Sequence, residues 1–232
     1  LKEAEFLQAF GRLLRKDKRF ALPEVLPALT HRNVLAMTYV SGGPIDTLID
    51  LPQVERDRIM SALIELMLLE FFELRMVQTD PNFANYQYRR NTGEIVLLDF
   101  GATRRFKAAF VNNYKKLVRA ALAGDDAKLI ASAERLGYAL VDTDSAYQAL
   151  VLQFLMVALE PVCTDVAYDF ARSDMARNMS KMAEDIGSFR DFWQAPPAEA
   201  VYFHRKIGGM FMLASRLKAR VNVHQLIQRW LA

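Results

Sequence analysis

Apolar residues recur at helical spacing at the start of the chain. Phe6, Leu7, Phe10, Leu13 and Leu14 fall on one face of residues 1–16. This three-and-four spacing is typical of a helix packed on a hydrophobic core. The sequence therefore predicts an amphipathic helix over these residues.

Two short runs rich in β-branched, aromatic and other apolar residues follow the first helix. They cover residues 21–26, around Pro23, and residues 34–40, and they end at a Ser-Gly-Gly-Pro sequence at 41–44. Such runs before a chain-breaking sequence are typical of strands that enter a turn. We expect one or two strands here.

The clearest helical pattern runs from Pro52 to Met76, where no glycine or proline follows the first position. A polar loop is predicted at 78–85. Strands are predicted at 86–88 and 94–98, joined by a turn at Asn-Thr-Gly 91–93, which together make a hairpin.

The chain after Gly101 has helical patterns almost throughout, and its apolar stretches are too short to predict a transmembrane helix. The predicted fold class is α+β, mainly α. The remaining predicted helices cover 107–123, 125–136, 143–159, 171–186, 198–218 and 222–231.

Composition and charge narrow the function only a little. The 232 residues are 52% hydrophobic and 25% charged, which suits one large domain or two small ones. A net charge of +3 is too small to predict a nucleic-acid partner or bulk attraction to a membrane. The single cysteine, Cys163, forms no internal disulfide, so a reducing compartment is expected.

Three side chains that suit phosphoryl-transfer chemistry follow the longest predicted helix. The loop carries Asp80 and, five residues later, Asn85, and the hairpin then delivers Asp99 at the end of a buried strand. This order resembles the protein-kinase signature. Carboxylate and amide oxygens are suitable ligands for a magnesium ion that bridges nucleotide phosphates, which is the predicted role of Asn85 and Asp99. Asp80 would orient the attacking oxygen and accept its proton.

The same residues also have a purely structural interpretation. Asp-Pro-Asn at 80–82 forms turns readily, Asn85 could cap that turn, and Asp-Phe-Gly at 99–101 could simply end a strand. His-Arg-Asn at 31–33 lies far upstream of Asp80 and is interpreted as a turn.

The sequences of two motifs closely resemble those of the UbiB family of atypical kinase-like proteins, in its coenzyme Q biosynthesis branch. The motifs are Gln-Thr-Asp-Pro-Asn-Phe-Ala-Asn at 78–85 and Leu-Leu-Asp-Phe-Gly-Ala-Thr-Arg at 97–104. The resemblance spans essentially the whole chain. Further matching segments are 2–4, 40–42, 204–209 and 215–220.

The resemblance implies a protein-kinase-like C-lobe with a remnant of the N-lobe. Residues 1–41 would be that remnant, and residues 42–232 the helical C-lobe. Asp80 would be the catalytic residue, Asn85 and Asp99 would bind Mg²⁺ and the nucleotide, and Glu3 would be a further ATP-binding residue. The cofactors implied are magnesium and ATP.

Several family motifs would lie upstream of Leu1: a Lys-x-Gly-Gln motif, an alanine-rich loop over the phosphates, a strand lysine and a first helix glutamate. We therefore expect a fragment of a longer protein or a truncated relative with impaired activity. Whether this chain alone is an enzyme stays open.

Two functions from different classes remain. The first is an ATP-dependent kinase or ATPase that supports ubiquinone biosynthesis, and the second is a non-catalytic kinase-like module that engages a lipid or a protein complex. A third, a phosphotransferase of the aminoglycoside or choline kinase type, is less favoured because Gln78 and Thr79, not His-Gly, precede Asp80.

The expected partners are ATP and a quinone-like lipid or proteins of ubiquinone biosynthesis. Peripheral membrane contact is a further expectation, because residues 202–220 combine apolar side chains with basic ones such as Lys206. The alternative is that these apolar residues pack in the core beside a solvated basic edge. The expected location is the bacterial cytoplasm, at the inner membrane, or alternatively the mitochondrial matrix.

Overall fold

The computed structural model describes residues 1–138, 145–188 and 197–231. Its α-helices are α1 (Lys2–Leu14), α2 (Gln53–Phe72), α3 (Ala108–Ala123), α4 (Asp126–Arg135), α5 (Ser145–Ala158), α6 (Glu160–Cys163), α7 (Met175–Ser188), α8 (Ala198–Arg216) and α9 (Val223–Leu231). Its strands are β1 (Phe20–Ala21), β2 (Gly43–Pro44), β3 (Met76–Gln78), β4 (Tyr86–Arg89), β5 (Glu94–Leu97), β6 (Thr103–Arg105), β7 (Tyr168–Asp169) and β8 (Arg220–Val221).

The predicted hairpin is confirmed as β4 and β5, which pair antiparallel with Tyr86 opposite Leu97 and Tyr88 opposite Ile95. Gly93 closes the turn with a φ of 75°, a conformation that glycine adopts without steric cost. The hairpin is the centre of a four-stranded sheet of order β1-β5-β4-β2, in which β1 runs parallel to β5.

The strand predicted at 34–40 is wrong, and the one at 21–26 is largely wrong. Isolated bridges join Val25 to Met37 and His31 to Val34, and no ladder forms over 34–40. Tyr39 is 90% exposed, so this apolar run has no sheet to pack on. Strand propensity needs such a partner before it produces a ladder.

Helix α2 is central to the core, but the predicted extension to Met76 is wrong. The helix ends at Phe72, and Arg75 adopts a positive φ of 50° that ends helical geometry. Met76 then begins β3, which pairs antiparallel with β6. Inside the core, the Phe71 ring stacks on Phe203 of α8 with centroids 3.6 Å apart.

The helical second half is confirmed, with corrections at its strands. Two strands there, β7 and β8, were not predicted, and they pair with each other. The helix predicted from residue 171 begins after β7, at Met175. The helix predicted at 143–159 is observed from Ser145, and residues 143 and 144 lie outside the described residues. The fold is α+β and mainly α, as predicted.

The division into residues 1–41 and 42–232 stays a prediction. Among the described helices, none combines the length and apolar character that crossing a bilayer requires.

Candidate functional site

The loop that carries Asp80 is tied to the segment that follows Asp99. Strand β3 leads into the loop, and Gln78 lies opposite Thr103 of β6. The backbone N–H of Thr79 donates to the Ala102 carbonyl oxygen at 3.4 Å, and the Thr79 hydroxyl donates to the same oxygen at 2.7 Å. These bonds fix the start of the loop against the chain that leaves the hairpin.

Asp80 and Asn85 are in direct contact. The Asn85 amide Nδ2 donates to Asp80 Oδ2 at 2.8 Å. Asn85 is buried at the end of a short 3-10 helix, whose start is capped by Asn82 Oδ1 accepting from the Ala84 N–H at 3.0 Å. Because the amide nitrogen is used by Asp80, the amide oxygen is the atom that Asn85 can offer to a cation.

The backbone brings Asp99 beside Asn85. Leu98, directly before Asp99, donates its N–H to the Asn85 carbonyl oxygen at 3.0 Å. The Asp99 Oδ1 then accepts the Gly101 N–H at 2.7 Å. The hairpin and the loop therefore meet through the backbone of Asn85 and Leu98, directly before Asp99.

Glu3 of α1 reaches the same place. A Cβ added to Gly101 would lie 3.2 Å from Asp99 Oδ1 and 3.3 Å from Glu3 Oε2. Both carboxylates therefore lie close to the Gly101 backbone, where an added methyl group would be a tight fit against them.

Burial raises the pKa of Glu3, and the negative charge of Asp99 raises it further, against a hydrogen bond from the Phe100 backbone that lowers it. A carboxyl whose charge is disfavoured by a neighbouring carboxylate is a suitable environment for a cation, which relieves the repulsion. This electrostatic arrangement fits a magnesium ion.

The donor set fits magnesium held together with a nucleotide. In the described part of the chain, no group of three or more His, Cys, Asp and Glu side chains could hold a metal by itself. Magnesium commonly takes only one or two carboxylates from the protein, with water and substrate phosphates as its other ligands. Asn85, Asp99 and Glu3 suit that pattern, and their roles stay predictions.

One buried polar cluster behind the loop was missed by the sequence analysis. Lys206 is 2% exposed, not part of a solvated basic edge. Its ammonium donates to the Tyr86 hydroxyl at 2.7 Å and to Gln78 Oε1 at 3.5 Å, and it lies 3.6 Å from Glu70 Oε2. In the sequence, Glu70 interrupts an apolar stretch and Lys206 directly follows Arg205, so neither charge points to the other.

The chain matches the ABC1 atypical kinase-like domain over residues 1–133. It is 34% identical over 229 residues to the mitochondrial atypical kinase COQ8 of Saccharomyces cerevisiae, covering 98% of this chain and 45% of that protein. It is 33% identical over 227 residues to the mitochondrial atypical kinase COQ8B of Rattus norvegicus, covering 98% of this chain and 43% of that protein. The chain thus spans less than half the length of these curated relatives.

A solved structure supports the fold independently. The Rv3197 protein from Mycobacterium tuberculosis, determined in complex with erythromycin, superposes with a TM-score of 0.73 at 21% identity. The match covers 97% of this chain and 56% of that one. At this identity the likeness concerns the fold alone.

Proposed function

This chain belongs to the ABC1 atypical kinase-like family, and from that premise we propose that it carries the magnesium and phosphoryl-transfer part of an atypical kinase or ATPase. The observation that carries the proposal is the hydrogen bond from Asn85 to Asp80, with Asp99 joined to the same place through Leu98. A turn with no chemical role would not need the Asn85 side chain to hold the Asp80 carboxylate, and this bond supports the proposal.

Each residue has a distinct task in the proposed reaction. Asp80 orients the attacking hydroxyl or water, and its Oδ1 takes the proton as the new bond to phosphorus forms and the bond to the departing nucleotide breaks. Asn85 holds the other oxygen of Asp80 and so fixes the carboxylate plane. The magnesium ion, when bound with ATP, supplies charge neutralisation on the phosphates. Asp99 and the Asn85 amide oxygen would hold that ion, with Glu3 beside them.

The test is nucleotide binding by the natural gene product that contains these residues. We expect Asp99→Asn to weaken magnesium-dependent binding of a fluorescent ATP analogue by about tenfold or more, because a charged ligand becomes neutral. Asp174→Asn is the matched control, since Asp174 lies on the surface in an exposed pair with Arg177. Unchanged magnesium-dependent binding in Asp99→Asn would show that Asp99 is not a metal ligand.

Binding of a quinone-like lipid by the helical half, without catalysis, is the second candidate. A cavity of about 320 Å³ is lined by Met175, Met179 and Met212 together with Phe154 and Phe211. Methionine adapts to irregular apolar ligands, which favours a flexible lipid site, although such residues also fill ordinary cores. ATP turnover that Asp99→Asn abolishes would argue against a purely non-catalytic module.

We further propose that the activity supports ubiquinone biosynthesis, by analogy with the branch that the motifs resemble. Deletion of the gene in its host should lower cellular ubiquinone, and re-expression of the Asp99→Asn form should fail to restore it. The mitochondrial names of the relatives support the matrix alternative for its location over the bacterial cytoplasm. Imaging of a tagged protein in its host distinguishes the two.

A further inference from the structure

One face of α8 lies against the candidate catalytic segment. Tyr202, Lys206 and Gly209 follow one another at helical spacing of four and three. The Arg104 guanidinium, beyond the Asp-Phe-Gly sequence, lies 3.6 Å from the centroid of the Tyr202 ring. This α8 face, defined by the three residues, therefore contacts the chain on both sides of the site.

Lys206 joins the two ends of the loop. Gln78 is the last residue of β3 and Tyr86 is the first residue of β4, so Asp80 and Asn85 lie on the short stretch between them. The Lys206 ammonium donates to both Gln78 and Tyr86. An ammonium has three donors and no acceptor, so one buried group can hold both ends of the loop at a fixed separation.

Glu70 supplies the charge that allows Lys206 to be buried. Glu70 is 2% exposed on α2, and Lys206 approaches it across the core. A buried ion pair is weak evidence for stability, because removing both ions from water offsets much of their attraction. A pair retained directly behind the loop therefore suggests a geometric role.

Gly209 meets the loop at the residue after Asp80. A Cβ on Gly209 would lie 2.6 Å from the Cβ and 3.0 Å from the Cα of Pro81. Since proline is rigid and its Cα belongs to the backbone, neither can move aside without moving Asp80. The adjacent Gly208 has nothing within 4 Å of an added Cβ.

We propose that Lys206 and Gly209 are positioning residues that set where the loop presents Asp80 and Asn85. The proposal rests on the proposed function for its kinetic consequences only. Lys206 fixes the separation of the loop ends, and Gly209 allows Pro81 to pack directly against the backbone of α8. Both residues act through their contacts with the loop.

The first test compares Gly209→Ala with Gly208→Ala in the natural gene product. Both variants gain the same helix-forming methyl group, so their helical propensities change equally. We expect Gly209→Ala to lower kcat by about tenfold, as misplacement of a catalytic group does, with nucleotide Kd within about twofold of wild type. Gly208→Ala should match wild type in both. Equal kcat in the two variants would overturn the role of Gly209.

The second test separates positioning from packing at Lys206. In Lys206→Met combined with Glu70→Leu, both charges are replaced by apolar groups, so the melting temperature should return close to wild type. We expect turnover to stay at least about tenfold low, because nothing then joins Gln78 to Tyr86. Recovery of turnover together with stability would show that Lys206 acts only through packing.

Amide hydrogen exchange supplies a readout that does not depend on turnover. In the double variant, exchange at residues 79–85 should rise by about tenfold while the core of α2 stays protected. Unchanged exchange over the loop would overturn the inference. If exchange rises but wild-type protein shows no magnesium-dependent turnover, the positioning role stands and the proposed function fails.

Discussion

Two polar side chains on the same helix show how differently burial can be accommodated. Lys206 faces the candidate catalytic loop and keeps a charge, whereas His204, two residues earlier, turns toward Tyr114 of α3 and Tyr138. Desolvation acts to lower the pKa of Lys206, but Glu70 and Tyr86 outweigh it and raise that pKa. The partners of His204 among the described residues are tyrosines, and burial lowers the pKa of His204 to about 4.

This difference between Lys206 and His204 indicates which face of α8 supports the candidate site. Hydrogen bonds to two tyrosines are enough to hold a half-buried histidine against the helical core. An ammonium paired with a carboxylate has a large desolvation cost, so its presence behind the loop needs a reason beyond packing. We assign the His204 face to stability and the Lys206 face to the placement of the loop.

The largest expected loss of stability comes from removing the charge of Lys206. Lys206→Met removes the partner of Glu70 and the donor to Tyr86, and breaking a buried pair typically costs about 3 kcal/mol or more. Glu70 limits the loss by taking up a proton, because burial raises its pKa to about 7 despite the attraction of Lys206. Urea unfolding at neutral pH measures the loss.

The matched change on the other face is His204→Gln, which should cost less at the same pH. A loss in His204→Gln equal to that in Lys206→Met would contradict the distinction between the two faces.

A smaller effect concerns His204, whose contribution to the stability of the protein depends on pH. The His204 pKa is depressed in the folded protein, so its contribution is present above the unfolded value near 6.5 and is lost as pH falls through about 4. We expect wild type to lose about 2 kcal/mol relative to His204→Gln over this range. Thermal unfolding from pH 7 to pH 4 measures the difference.

The contribution of Glu70 to stability changes with pH in the opposite direction to that of His204. Its pKa is raised to about 7, so its contribution is present below about 4.5 and is lost as pH rises through about 7. Subtracting the stability of His204→Gln from that of wild type at each pH cancels the contribution of Glu70, because both proteins carry Glu70. A flat difference curve would show that His204 does not titrate as its burial implies.

The smallest expected effect is a gain. Gly208 is exposed on α8, and an added Cβ there meets nothing within 4 Å. Gly208→Ala should therefore stabilise the protein by about 0.5–1 kcal/mol through helix propensity. A lower melting temperature would mean that this part of α8 is packed more closely than the structure shows.

Features formed within short stretches of sequence were predicted well. Asp80, Asn85 and Asp99 lie within about twenty residues of one another, so spacing and turn signals were sufficient to predict the loop and the β4–β5 hairpin that carry them, whereas their roles stay predictions. The patterns that gave most helices of the second half are equally local.

Features that depend on distant partners could not be predicted. Strand β6 exists because β3 lies beside it, and the run at 34–40 forms no strand because no sheet receives it. The pairing of Lys206 with Glu70 joins two helices far apart in the chain, and the charge at each position does not reveal its partner.

The most direct test of the central claim is a crystal structure of the protein with magnesium and a non-hydrolysable ATP analogue. We predict one ion in contact with the Asn85 amide oxygen and an Asp99 carboxylate oxygen at about 2.0–2.1 Å, with its remaining ligands from phosphates and water. An ion and nucleotide bound away from both residues would contradict the account.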